Sequence, residues 1–131
     1  MLLDTSGLLC LFHAGELQYA DAVTFFDAAL FKLTTNYILA ELIALAQVRR
    51  LPRPQTLAFI ADLQDSPEVM VSYVDEQLHR QALAFLQRRP DKNWSLCDAV
   101  SMVLMQQRGI TDALTTDHHF AQAGFVRLLN G

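Results

Sequence analysis

Met1-Leu2-Leu3-Asp4-Thr5-Ser6-Gly7-Leu8-Leu9 (MLLDTSGLL, residues 1–9) starts with an apolar run that stops at an acid. The run is too short for a helix and reads as a buried strand ending at Asp4. Three meanings are open for Asp4-Thr5-Ser6-Gly7: the catalytic turn of an aspartic protease, a cap on the next helix, or the first of several carboxylates around a metal ion.

Four more short apolar runs end in polar or turn residues: KLTT (32–35), EVMVSYV (68–74), ALTTD (113–117) and GFVRLL (124–129). They read as strands. Between them, helical spacing runs over 17–31, 37–50, 54–64, 76–89 and 95–108. Strands alternating with helices predict an α/β fold, a parallel sheet covered on both faces. With 131 residues and no repeat or linker, the expectation is one domain spanning 1–131. The exposed loops are expected at RRLPRPQ (49–55) and RRPDKNW (88–94), both basic.

Composition narrows the function. Hydrophobic residues make up 52% and charged residues 18%, rich enough in apolar groups to predict that a second copy or a partner covers part of the surface. The net charge of −4 supplies no broad basic field, so a polyanionic ligand requires local arginines or bound cations. No apolar run approaches a membrane span, and the opening run meets an acid too early for a signal peptide, which points to the cytoplasm. Cys10 and Cys97 form no CxxC pair and read as small reduced hydrophobes.

Open parallel sheets bind ligands beyond the carboxyl ends of their strands, where Asp4 and Asp117 both fall. Glu41 lies between Leu45 and Val48 on a helical wheel, beside the apolar side completed by Ile38 and Leu42, and so is expected to avoid open solvent. Asp98 sits in SLCDAVSMVLM, a helix apolar nearly all round, where an ionised carboxylate needs a partner. Each acid also has a plain structural meaning. Asp4 can cap the following helix, Ser95 and Asp98 have capping-box spacing, and Asp117 can close an Asx turn. Taken together, four acids converge, and crowded carboxylates near neutral pH either protonate or bind a cation; hard oxygen ligands select Mg²⁺ or Mn²⁺.

LLDTSGLL (2–9), the helix acid in ILAEL (38–42), WSLCDAVSMVLM (94–105) and ITDALTTDHHFAQAGFVRLL (110–129) together resemble the PIN-domain ribonucleases, and within them the VapC-like toxins of bacterial and archaeal toxin-antitoxin pairs. The likeness covers nearly the whole chain. It implies a three-layer fold with a central parallel sheet of about five strands flanked by helices. By it, Asp4, Glu41, Asp98 and Asp117 match the catalytic, metal-binding acidic set, and Thr5, Ser6, Ser95 and Thr116 are nearby polar support. It also implies an endoribonuclease dependent on Mg²⁺ or Mn²⁺ that leaves a 5′-phosphate and a 3′-hydroxyl, with a cognate antitoxin protein as partner. Bound cations invert the local field, answering the objection from net charge. Arg49, Arg50, Arg53, Arg88, Arg89 and Lys92 are then candidates to grip the RNA backbone, or are plain loop solubility. Many relatives carry another acid two residues after the one matching Asp117. This chain has His119 there, which leaves open whether one or two ions bind.

Of His118 and His119, at most one belongs to the site, since adjacent side chains rarely reach one ion together; His13 and His79 read as structural. Trp94 reads as packing rather than a stacking platform. Phe25, Phe26, Leu30 and Phe31 form an apolar stripe that is either core or the contact surface of a homodimer or antitoxin. The protease meaning fails, because that chemistry needs two facing Asp carboxylates in a mainly β fold. Two rivals remain: a non-catalytic PIN-fold binding module, and a phosphoacceptor receiver-like domain. The receiver expects an adjacent acidic pair on its first strand and a late lysine, and this chain has neither.

Overall fold

The computed structural model describes residues 1–131. Five strands, β1 (Leu2–Leu3), β2 (Lys32–Thr35), β3 (Val69–Ser72), β4 (Asp112–Leu114) and β5 (Val126–Arg127), form one sheet in the order β3-β2-β1-β4-β5. Every pairing is parallel, with Leu2 opposite both Leu33 and Ala113. Seven helices connect and cover them: α1 (Thr5–Phe12), α2 (Tyr19–Ala28), α3 (Asn36–Val48), α4 (Arg53–Asp65), α5 (Glu76–Gln87), α6 (Leu96–Arg108) and α7 (His118–Gln122). Leu2, Leu3, Leu33 and Leu114 are fully buried, the expected state of strands covered on both faces.

The strand order carries the functional consequence. From β1 the chain steps outward to β2 and β3, then crosses back and steps the other way through β4 and β5. Right-handed crossovers therefore put α1–α4 on one face and α5–α7 on the other. β1 and β4 are neighbours whose connections leave in opposite directions, and the crevice beyond their carboxyl ends is the switch point where such sheets bind ligands. A flavodoxin-like receiver has the order 2-1-3-4-5, so this topology excludes that rival.

Two helices, α1 and α7, lie outside the helical segments read from the sequence. The segment 5–12 is helical, as the capping meaning of Asp4 would require, but no helical spacing marked it, because a run as apolar as LLCLF shows no periodicity when most of it is buried. The five residues of α7 are too few to show one. α2 is shorter than 17–31, and Leu17 stands outside it, 97% exposed. The basic stretch 49–55 is only half loop, since α4 starts at Arg53 with Pro54 in its first turn, where the missing N–H costs nothing. β4 stops at Leu114 and not at 117, because Thr115 and Asp117 turn their hydrogen bonds inward.

α6 is the buried helix expected, with Cys97 through Met105 all inaccessible. It ends at Gly109, whose φ of 66° is the left-handed C-cap conformation that glycine adopts without strain.

Candidate active site

α1 follows β1 without a loop, so Asp4 occupies the N-cap position, but its side chain caps nothing. Its Oδ2 instead accepts a hydrogen bond from Thr115 Oγ1 at 2.7 Å. Gly7 permits this. A Cβ there would lie 1.8 Å from the Leu114 carbonyl oxygen, so only glycine lets the first turn of α1 rest on the end of β4. Thr115, fully buried, spends its one proton on Asp4 and accepts from the Asp117 N–H (3.0 Å) and the Ser6 hydroxyl (3.0 Å). Ser6 Oγ in turn accepts from the Thr116 N–H at 3.0 Å.

Asp98 arrives from the opposite layer. Ser95 caps α6 by accepting from the Asp98 N–H (3.0 Å), and Asp98 Oδ2 accepts from the Ser95 N–H (3.1 Å), a complete capping box. The same Oδ2 lies 3.0 Å from His119 Nδ1. That ring nitrogen is also 3.3 Å from Asp117 Oδ2, while Asp117 Oδ1 accepts from the His119 N–H at 2.9 Å. His119 thus joins Asp98 to Asp117 across the crevice.

The electrostatics couple Asp4 to Asp98 and Glu41. The Asp4 carboxyl is raised from 3.8 to about 7, chiefly by burial; bonds from Thr115 and the Thr5 backbone oppose the rise, and the charges of Asp98 and Glu41 add to it. Burial first, then Glu41, Asp4 and Asp98, push the Cys97 thiol up, so Cys97 stays the protonated hydrophobe expected of it. Neither Asp4 nor Glu41 has a Lys, Arg or His partner among the ion pairs. A buried carboxylate beside two more, short of protein cations, is the donor set of a hard divalent ion. Thr5 Oγ1, buried without a hydrogen-bond partner, is a further oxygen of the same kind next in sequence to Asp4. The residues fit such an ion.

Some expectations need correction. Glu41 is exposed, as is Val48 two turns on along the same flank of α3 at 79%; its charge still reaches Asp4. The threonine whose side chain reaches Asp4 is Thr115 rather than Thr116. Thr116 offers only backbone: its N–H to Ser6, and its carbonyl to Arg127 at 3.2 Å. Both threonines follow the end of β4, and only Thr115 turns its side chain inward. Asp4 does not cap, whereas Asp98 does, and its charge still acts on Asp4.

Among the basic residues, Arg88, Arg89 and Lys92 precede the Ser95 cap and so lie on the loop entering the site. Arg89 is shared with Asp91 and stacks over Trp94. Arg49 is paired with Glu16, and Arg49, Arg50 and Arg53 lie past the far end of α3, about 12 Å of helix beyond Glu41. Trp94 is packing: it stacks on Phe85 and its Nε1 donates to Gln122. His118 is two-thirds exposed at 66%, with Nδ1 3.7 Å from Asp117.

Comparison with known proteins agrees with this fold. The PIN domain family model matches residues 1–126. Two relatives, both described as the 23S rRNA-specific endonuclease VapC20, from Mycobacterium tuberculosis strains CDC 1551 / Oshkosh and ATCC 25618 / H37Rv, are each 30% identical over 129 residues, covering 98% of this chain and 97% of theirs. The crystal structure of Mycobacterium tuberculosis VapC20, described as a sarcin-ricin loop cleaving toxin, superposes with a TM-score of 0.86 at 30% identity over 95% of both chains. On the fold, the switch-point acids and these matches, the chain belongs to the PIN-domain family, among its VapC-like endoribonucleases.

Proposed function

We propose that this single 1–131 domain is the toxin of a toxin-antitoxin pair, hydrolysing a phosphodiester in a structured ribosomal RNA loop with Mg²⁺ or Mn²⁺ held by the pocket of Asp4, Glu41, Asp98 and Asp117. The observation that carries this is the buried Asp4 carboxylate, crowded by Asp98 and Glu41 and without a protein counter-charge. When bound, a divalent ion supplies the charge that lowers the pKa of a water and offsets negative charge building on the phosphate. The chain's residues hold that arrangement rigid. Thr115 fixes one oxygen of Asp4, the Ser95 N–H fixes one oxygen of Asp98, and the two helix starts keep both acids at the strand ends. Arg88, Arg89 and Lys92, on the loop into Ser95, contact backbone phosphates.

The relatives' specificity makes the sarcin-ricin loop of 23S rRNA the first substrate to test. A cognate antitoxin is the regulatory partner. A homodimer covers part of 17–31, where Leu17 and Leu30 are 97% and 103% exposed. No helix is long and apolar enough to cross a membrane, and the place of action proposed is the cytoplasm.

The deciding experiment incubates the protein with a hairpin carrying that loop and with a hairpin of scrambled loop, each with Mn²⁺ or EDTA. Cleavage of the first, in Mn²⁺ alone, with a 5′-phosphate on the downstream product, is expected. Equal cleavage with EDTA would defeat the metal-dependent proposal, and equal cleavage of both hairpins would defeat the substrate.

A further inference from the structure

We infer that Arg127 is a phosphate-binding residue: its guanidinium, anchored to the loop that leads into Asp117, grips the RNA backbone on the β5 side of the acid pocket. This rests on the ribonuclease function proposed above and adds a contact on the side away from the basic loop 88–94.

Arg127 stands opposite Ala113 in the β4–β5 register, and the chain beyond it keeps to β4: the Leu128 N–H donates to the Ala113 carbonyl (3.0 Å) and the Leu129 N–H to the Thr115 carbonyl (3.2 Å). The half-buried side chain runs on toward the carboxyl edge of the sheet, where Nη1 donates to the Thr116 carbonyl at 3.2 Å. Thr116 lies between Asp117 and Thr115, whose hydroxyl holds Asp4, and neighbouring Cα atoms are about 3.8 Å apart, so the guanidinium is fixed at the rim of the acid pocket.

Its charge is not neutralised there. Of the ten Lys and Arg residues, Lys32, Arg49, Arg80, Arg89 and Lys92 have carboxylate partners within 4.0 Å; Arg127 has none, although Asp117 is next in sequence to the residue it bonds. An arginine placed only to offset the acids would pair with one of them. Bonded to a carbonyl instead, it uses one of its five N–H donors and is oriented with its charge intact, and a planar fork held in this way suits a phosphate. Position favours the same use. The loop 88–94 meets the end of α7, where Trp94 bonds to Gln122, whereas Arg127 is tied just before the start of α7, so the two basic groups stand at opposite ends of a helix about 7.5 Å long. An RNA backbone crossing the acids meets a cation on either side.

The test compares wild type with Arg127→Gln, which keeps an N–H for the Thr116 carbonyl but no charge, and Arg127→Lys, which keeps both. Cleavage of the sarcin-ricin hairpin in Mn²⁺ is followed from about 50 to 200 mM salt, and urea melts report the stability of each variant. Arg127→Gln should raise KM roughly 10–100-fold with a smaller change in kcat. It should also flatten the dependence of log kcat/KM on log salt by about 0.7–0.9, the amount for one phosphate no longer neutralised. Arg127→Lys should keep the wild-type slope and recover part of the KM. A wild-type KM and slope in Arg127→Gln would overturn the inference while the ribonuclease function stands. So would an unchanged slope with lowered stability, which would make Arg127 a clamp on the loop alone, and so would loss of the slope in Arg127→Lys. A hairpin left whole by wild type in Mn²⁺ would instead overturn the function, and the inference with it.

Discussion

Replacing Asp4 by Asn should make the protein more stable in EDTA while abolishing its function. The native carboxyl titrates near 7 instead of 3.8, mainly because it is buried, with Asp98 and Glu41 adding to the cost of ionising it. A folded pKa above the unfolded one means that the native state holds the proton more tightly. That contribution is fully present below pH 3.8 and disappears as pH rises through about 7. Three pH units at about 1.4 kcal/mol each give a ceiling of about 4 kcal/mol lost by metal-free wild type across that window. Asn carries no charge and keeps an oxygen for the Thr115 hydroxyl, so the variant lacks this slope.

In EDTA the two proteins should melt together near pH 4. They should separate steadily to pH 8, where Asp4→Asn gains about 2–4 kcal/mol, or on the order of 10 °C. Mn²⁺ at a hundred times its dissociation constant returns about 2.7 kcal/mol to wild type and almost nothing to the variant. Differential scanning calorimetry at five pH values, with EDTA and with Mn²⁺, supplies all the comparisons. Parallel curves from pH 4 to 8, or a variant less stable than wild type at pH 8 in EDTA, would refute the claim that Asp4 is held at an electrostatic cost.

Gly7→Ala pushes a methyl against the Leu114 carbonyl and should cost about 1–3 kcal/mol in urea melts together with most activity, as α1 lifts from β4; unchanged stability would mean that the close approach is not required. Thr115→Val keeps the shape but strips Asp4, Ser6 and the Asp117 N–H of a partner, so it should lose about 1–3 kcal/mol, with Thr115→Ser restoring much of it. Alanine at Arg88, Arg89 and Lys92 should weaken RNA binding and flatten its salt dependence by nearly one unit for each phosphate no longer neutralised, whereas alanine at Arg49 and Arg53 should change the slope little; filter binding from about 50 to 200 mM salt compares them.

Local pattern was enough for the strands and for α3 to α6, since their apolar runs and spacings reflect burial on one or two faces. Where a short element is mostly buried, as in α1, or has only a few residues, as in α7, periodicity vanishes, and only packing reveals the helix. Asp4 was legible as a candidate because an acid that ends a buried strand has few structural uses, and Asp98 because a charge in an apolar helix needs a partner, although the Ser95 capping box gives it a structural use as well.

What the sequence determined alone was the α/β class, the four acids and the family likeness, because residue type and spacing suffice for these. Tertiary structure alone decided which threonine faces Asp4, that Glu41 stands exposed, that Arg49 is tied to Glu16, and that His119 spans Asp98 and Asp117. Each depends on the register of neighbouring elements to within one residue or a few ångströms, and residue type sets no register between segments far apart in the chain; only the packing of β1 against β4 and α6 against α7 does.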